Sequence, residues 1–330
     1  MKQILVTGAS GFTGTHLVKK MKERGYAVRA LVRPGKDVSH LESWGVEIVR
    51  GDVTQKETLI PAVRGVETVY HLAAVYRQEG IPKKKFWEVN VEGTRNLLEV
   101  SAEAKVKRFV HCSTVGVQGE IKHPPATEEA PYHPEDHYQA SKMEGEKWAL
   151  SYYQQGKLPV VVFRPVGIYG PGDMRFLKLF RNVRKPMIGS GKVLYHLTYI
   201  DDLVEGIRLV GEVSGIEGEV FTLAGPRYTT LNELYAIIAK ILGTRPSRVH
   251  LPVWPFWVAG TLCEWICRPL HIQPPIYRRR LDFFVKDRAF DISKAKRVLG
   301  YSPKVDLEEG LAKTAHWYKE RGLISGDAKN

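Results

Sequence analysis

The chain has 330 residues, 26% of them charged and 43% in the apolar set, a balance that supports one large core or a main domain with a smaller one attached, and excludes wholesale disorder. A formal net charge of +13 points to anionic partners such as phosphate-bearing cofactors or acidic lipid, while the absence of a recognisable nucleic-acid motif argues against a nucleic-acid role. Three cysteines exclude a disulfide framework and fit a reducing cytosolic compartment, and no secretory leader is expected because Met1 leads straight into a strand.

The apolar run Ile4 to Val6 predicts a first strand over 3–7, and Gly8, Gly11 and Gly14 follow at the mouth of a helical pattern over 14–24. That spacing suits a dinucleotide pyrophosphate. Gly8 can take backbone angles closed to side chains, Gly11 lets phosphate approach the main chain, and Gly14 lets the helix lie close to the strand. Free amides around Phe12 and Thr13 would then face the negative charge.

Further strands are predicted over 27–32, 46–50, 67–72, 107–112 and 159–164, with helices near 55–63, 88–104 and 136–155. Short apolar strands alternating with amphipathic helices imply a parallel sheet covered on both faces, with ligands collecting beyond its carboxyl ends. The second strand ends in Arg33, with no carboxylate to hold an adenosine ribose, so NADP(H) is favoured over NAD(H). Asp52 and Val53 follow the third strand, Asp52 as an acceptor for the adenine amino group, and Leu72, Ala73 and Ala74 follow the fourth with small side chains that let backbone reach a cofactor.

After Arg164-Pro165 the regularity loosens, with loops at Gly170-Pro171-Gly172 and Gly189-Ser190-Gly191. A helix over 201–211, a returning strand over 219–223, a helix over 229–242 and a terminal helix within 303–320, opened by Pro303 or capped near Asp306, complete the pattern. The expected division is a nucleotide-binding core over 1–165 with returns from about 199–224, and a substrate-binding part formed mainly by 166–198 and 225–330. Segment 251–270 carries three tryptophans, while Pro252, Pro255 and Glu264 disfavour an uninterrupted membrane-spanning helix. Two readings stand for it: peripheral contact with a membrane interface, helped by the basic run at 278–297, or packing over the substrate pocket or in a dimer contact, which is the plainer. The basic run itself reads as a solvated face, and Cys263 and Cys267, four apart on a helix, read as packing residues.

Tyr138 and Lys142 stand one helical turn apart and project from one face. An ammonium beside the phenol, with an oxidised nicotinamide nearby, favours the phenolate and makes Tyr138 a candidate acid/base. Lys142 can also hold the nicotinamide ribose, and Thr114 or Ser113 after the fifth strand can orient a substrate oxygen. His71, His111 and His196 lack a ligand cluster, so no metal is expected, Glu128 and Glu129 read as a solvated loop or helix lead-in, and Ser113 has no nucleophile elbow.

These residues resemble the extended short-chain dehydrogenase/reductase family, which includes the NAD-dependent epimerase/dehydratases. The likeness runs through TGASGFTG at 7–14, HLAA at 71–74, Asn90 to Thr94, Ser113-Thr114, YQASK at 138–142, RPVGIYGPGD at 164–173 and YIDDLVEG at 199–206. It implies a Rossmann-type doubly wound α/β sheet with a smaller, interleaved carboxyl-terminal substrate domain. It also implies Tyr138 as catalytic acid/base, Lys142 as its partner, Thr114 with adjacent Ser113 aligning the substrate, Asn90, Pro165 and Ile168 near the cofactor, and a homodimer built on helices 88–104 and 138–155. Segments such as KDRAFDISKAKRVLGYSPKVDLEEGL are similar to dihydroflavonol-reductase and 3-beta-hydroxysteroid-dehydrogenase relatives, which interconvert secondary alcohols and ketones on bulky small molecules. Two alternatives remain open: a nucleotide-sugar 4-epimerase or dehydratase on bound NAD, disfavoured by Arg33 and by Gln118 where the sugar enzymes often carry tyrosine, and a non-catalytic nucleotide sensor, disfavoured by the intact Tyr138, Lys142 and Thr114.

Overall fold

The computed structural model describes residues 2–76, 80–267, 272 and 277–324. Its strands in chain order are β1 (Gln3–Thr7), β2 (Ala27–Val32), β3 (Glu47–Arg50), β4 (Thr68–His71), β5 (Arg108–Cys112), β6 (Val160–Pro165), β7 (Gly167–Tyr169), β8 (Met187–Ile188), β9 (Leu194–Tyr199), β10 (Val220–Leu223), β11 (Tyr228–Thr230) and β12 (His250–Leu251). Seven form a parallel sheet in the order β10-β6-β5-β4-β1-β2-β3. Strand order reverses at β1, where Thr7 pairs with Leu31 on one side and His71 on the other, so the carboxyl ends of β1 and β4 open the crevice that such sheets use for ligands.

Alternation along each strand divides the core between the two faces. Ile4 and Val6 join Leu17, Val18, Leu203 and Ile207 on one side, whereas Leu5 joins Leu97, Leu98, Phe109 and Ala149 on the other. Helices Phe12–Glu23 and Ile200–Glu212 cover the first face, and Gly93–Glu103 and His137–Gln154 the second. The fold is therefore the doubly wound Rossmann type that the strand and helix pattern predicts.

Some elements depart from their sequence expectation. The 55–63 helix is a 3₁₀ turn, Lys56–Leu59, followed by the short Ile60–Val63, with Pro61 in its first turn. The 88–104 helix starts earlier, at Lys83, and widens to a π-turn over Glu88–Glu92 before the regular Gly93–Glu103. Segment 251–270 forms a helix over Val253–Cys267, with 268–270 outside the described residues. Pro255 does not interrupt it, because a proline in the first turn forfeits no intrahelical hydrogen bond.

Beyond β6 the chain builds a three-stranded sheet, β11-β9-β7, and a two-stranded one, β12-β8. Several polar contacts tie these parts to the main sheet. Asp202 accepts from the amides of Lys304 and Val305 at 2.9 Å each, and Asp306 caps the terminal helix Leu307–Glu320. The basic run is less solvated than its composition suggests: Lys286 pairs with Glu135 and Asp282, Arg279 with Asp136, and Lys294 with Glu219. Glu128 likewise is no solvated loop residue, since its carboxylate accepts from the amide of Thr222 on the edge strand β10 at 2.7 Å.

Candidate active site

The glycine turn after β1 is built to the limit of backbone contact. Gly8 has φ of +71°, and a Cβ there would meet the Leu72–Ala73 backbone after β4 within 3 Å. At Gly14 a Cβ would stand 2.1 Å from the Gly8 carbonyl oxygen, so the first turn of Phe12–Glu23 lies directly on the loop. Gly11, the N-cap, offers no side chain, and the first turn holds no acidic residue. The amides of Phe12, Thr13 and Gly14 are thus left for an external anion. This cradle fits a dinucleotide pyrophosphate.

A buried polar chain fixes the two strand ends that flank the crevice. Ala73 donates its amide to Thr7 Oγ1 (3.1 Å), and Thr94 donates its hydroxyl to the Asn90 carbonyl (2.8 Å). With its own proton so committed, Thr94 accepts from His71 Nε2–H at 2.9 Å, and in the neutral imidazole that burial favours Nδ1 then accepts from the Thr7 hydroxyl at 2.8 Å. Burial, with a smaller push from Lys142, lowers the His71 pKa to about 3, and His111, 5.6 Å away ring to ring, is held well below its ordinary value for the same reasons. Groups with depressed histidine pKa values favour the fold above the unfolded value of about 6.5 and lose that contribution as pH falls through the window below it. The urea midpoint should consequently drop between about pH 7 and about pH 5, and His111→Phe should flatten that dependence. An unchanged slope in the variant would contradict the assignment.

Asn90 does not face the crevice. Its amide is buried, accepting from Val75 N (2.8 Å) and donating to Val75 O (3.1 Å) and Ser141 Oγ (2.9 Å). Its role is to tie the loop after β4 to the Tyr138 helix, and Gly145, whose Cβ would lie 2.6 Å from the Asn90 backbone carbonyl oxygen, permits that close approach. Val53 also turns inward: it is buried against Gly93, and its carbonyl accepts from Asn96. Asp52 stays half-buried at the end of β3, with Oδ1 accepting from Thr54. Arg33 is exposed and has no side-chain partner among the described residues.

Helix His137–Gln154 starts at Asp136, which caps Gln139 N at 2.8 Å, and it buries Gln139, Ser141, Lys142 and Glu146. A helix face this polar is not a core face, because buried lysine and glutamate require partners. Lys142 Nζ donates to the Cys112 carbonyl at 2.6 Å, and burial lowers its pKa below the usual lysine range. Thr114 caps the 3₁₀ turn Val115–Gln118 by accepting from Gly116 N at 3.1 Å. Its hydroxyl proton has no acceptor among the described residues and is free to donate to a substrate oxygen.

Ser113 differs from its expected role. Its hydroxyl is buried and donates to Glu146, which also accepts from Tyr132 and pairs with Arg164. Ser113 is thus committed to the ion pair beneath the loop, and Thr114 alone of the two remains available. Glu146 was absent from the sequence-derived site, although its position, four residues after Lys142 and eight after Tyr138, places it on the same helical stripe.

Tyr138 is half-buried and meets Tyr76 and Phe86 edge-on, at 5.4 Å and 6.4 Å between centroids. It opens onto a cavity of about 660 Å³ with apolar and aromatic walls at Ile81, Phe86, Val253 and Trp257 and charged ones at Glu135, Glu264, Arg279, Asp282 and Lys286. Arg175 spans the neighbouring ground, with its guanidinium 5.6 Å from the Phe12 ring and 5.5 Å from that of Tyr76. Pro165 ends β6, buried, and Ile168 is half-buried on β7 with its carbonyl bonded to Arg175. No cluster of three or more histidine, cysteine, aspartate or glutamate side chains able to hold a metal occurs among the described residues.

Residues 4–224 match the NAD dependent epimerase/dehydratase family. The chain is 29% identical over 338 residues to the 3-beta-hydroxysteroid dehydrogenase of Mycolicibacterium neoaurum, covering 96% of this chain and 92% of that one. It is 28% identical over 333 residues to the bovine (Bos taurus) sterol-4-alpha-carboxylate 3-dehydrogenase, decarboxylating, covering 95% and 91%. Among solved structures it resembles UDP-glucuronic acid 4-epimerase from Bacillus cereus in complex with NAD, with a TM-score of 0.77 and 26% identity over 97% of this chain and 99% of that one.

Proposed function

Because the chain belongs to the NAD-dependent epimerase/dehydratase family, we propose that it is an oxidoreductase interconverting a secondary alcohol and a ketone on a bulky, largely apolar substrate, with NADP(H) as the preferred nucleotide. The observation that carries this reading is the large cavity at Tyr138, wide enough for a drug-sized molecule, in which an aromatic and aliphatic wall (Ile81, Phe86, Val253 and Trp257) faces a charged one that includes Glu135, Arg279 and Lys286. The names of the sterol and steroid relatives point to substrates of that shape.

When bound, the dinucleotide accepts or supplies hydride at its nicotinamide. The chain's own residues do the rest. The Gly8 to Gly14 turn would hold the pyrophosphate, Lys142 sits one turn along the Tyr138 helix with its ammonium on the Cys112 carbonyl, and Thr114 would donate to the substrate oxygen. Tyr138 takes the hydroxyl proton on oxidation and returns it on reduction. Arg33 is an exposed guanidinium at the end of β2 and would pair with the adenosine 2′-phosphate of NADP(H).

Titration with NADPH and NADH, followed by mass spectrometry of nucleotide retained through purification, tests the cofactor assignment. NADPH should exchange freely and bind more tightly than NADH. Arg33→Asp should reverse that preference, changing the affinity ratio by about tenfold to a hundredfold, and an unchanged ratio would defeat the phosphate contact.

A second reading is a nucleotide-sugar 4-epimerase or dehydratase on tightly held NAD. It draws on the Bacillus cereus likeness and on Arg278, which lines the cavity without a carboxylate partner and so is suited to a diphosphate. Arg175, beside Phe12 and Tyr76, is already paired with Asp173. Retained, non-exchanging NAD would favour this second reading.

A further inference from the structure

Helix Val253–Cys267 has one face against the body of the protein and one that no other described residue covers. Val253, Trp257, Gly260 and Glu264 recur at helical spacing on the inner face: Gly260 is buried on the Arg278 backbone, Glu264 accepts from Arg278 N at 2.8 Å, and Val253, Glu264 and Trp257, itself 49% exposed, line the Tyr138 cavity. Trp254, Val258, Leu262 and Trp265 form the opposite stripe, with Trp254 69% and Trp265 75% exposed and Ile266 exposed beside them. A contiguous apolar stripe containing two tryptophans costs free energy in water and is uncommon on a surface that stays wet.

Positive charge surrounds this face. Arg245 and Arg248 are exposed on the chain entering the helix, Arg278 and Arg280 on the turn packed against it, and Arg245, Arg248 and Arg278 have no carboxylate partner among the described residues. An uncovered apolar stripe rimmed by cations complements an anionic bilayer, in which tryptophan occupies the headgroup boundary. The helix has 15 residues and is about 22 Å long at 1.5 Å per residue, shorter than the hydrocarbon core. None of the described helices is long and apolar enough to cross a membrane, so this one would lie in the interface.

We propose that helix Val253–Cys267 is a membrane-docking element that seats the protein on anionic lipid, with the mouth of the Tyr138 cavity held at the bilayer surface. Entry of apolar substrate from the lipid rests on the functional reading above; the docking itself does not, and it is measured without turnover.

The test is flotation of the full chain with phosphatidylcholine vesicles and with phosphatidylcholine vesicles containing phosphatidylglycerol. The protein should float with the anionic vesicles and release as salt rises. Trp254→Ser/Trp265→Ser should weaken binding about tenfold or more, and Arg245→Gln, Arg248→Gln and Arg278→Gln about fivefold each. Nucleotide binding and circular dichroism should not change in the tryptophan variant, since both side chains are exposed, and this separates lost docking from lost folding. Failure of the wild type to float, or equal flotation by the tryptophan variant, would overturn the proposal. So would a solution dimer that ignores vesicles and that the tryptophan substitutions split into monomers, which would make this face an interface between copies.

Discussion

Tyr138→Phe should lower turnover by about a hundredfold to ten-thousandfold while NADPH affinity stays within about twofold of the wild type. The substitution removes one oxygen and keeps the ring, so the edge-on contacts with Tyr76 and Phe86 survive and the cavity wall keeps its shape. The lost function is proton transfer to the substrate oxygen. Thr114 can still orient that oxygen and Lys142 remains tied to Cys112, so the deficit belongs in the chemical step rather than in binding. Single-turnover measurement with each nucleotide should show it as a slower hydride step. Turnover equal to wild type would remove Tyr138 from the mechanism.

Glu146→Leu should destabilise the fold by about 3–5 kcal/mol, read as a large drop in urea midpoint. Arg164 is 3% exposed and its guanidinium makes its ion pair with Glu146, which also receives the hydroxyls of Ser113 and Tyr132. Removal of the carboxylate leaves a buried cation with no counter-ion, only the Glu128 carbonyl, and leaves the buried Ser113 hydroxyl without its acceptor. Glu146→Gln, which keeps acceptor capacity, should cost less, and Glu146→Leu/Arg164→Met should recover part of the loss because it deletes both charges at once. A double variant no more stable than Glu146→Leu would show that the penalty is one of packing. Ser113 immediately precedes Thr114, so the single variants should also lower turnover per folded molecule as the Thr114 loop loses its anchor.

The predicted strand boundaries agree with those of the main sheet to within about a residue, because the strands inside the edge strand β3 are short, largely buried apolar runs with turn residues beside them. The glycine turn was legible for a related reason. Gly8 and Gly14 are required by backbone contacts that allow no Cβ, a local constraint that leaves a fixed spacing in the sequence. Helix 83–103 was less legible, since its π-turn answers to the packing of Asn90 against Gly145 and leaves no period of its own. Place after a strand or in a motif points Ser113 toward the substrate and Asn90 and Val53 toward the cofactor. Their side chains face partners far off in the chain: Glu146, Val75 with Ser141, and Gly93.

Local sequence by itself determined the sheet, the glycine cradle, the one-turn spacing of Tyr138 and Lys142, and the family. Each of these depends on backbone angles, side-chain period or neighbours within a few residues. Tertiary structure alone decided which hydroxyl after β5 stays free, which carboxylate neutralises Arg164, and that the Trp257 side of one apolar helix lines the Tyr138 cavity while Trp254 and Trp265 face outward. Those outcomes depend on partners more than 25 residues away in most cases, as with Ser113 and Glu146 at a separation of 33, and on which face of a helix the rest of the chain happens to cover. Neither is recorded in the residues that carry them.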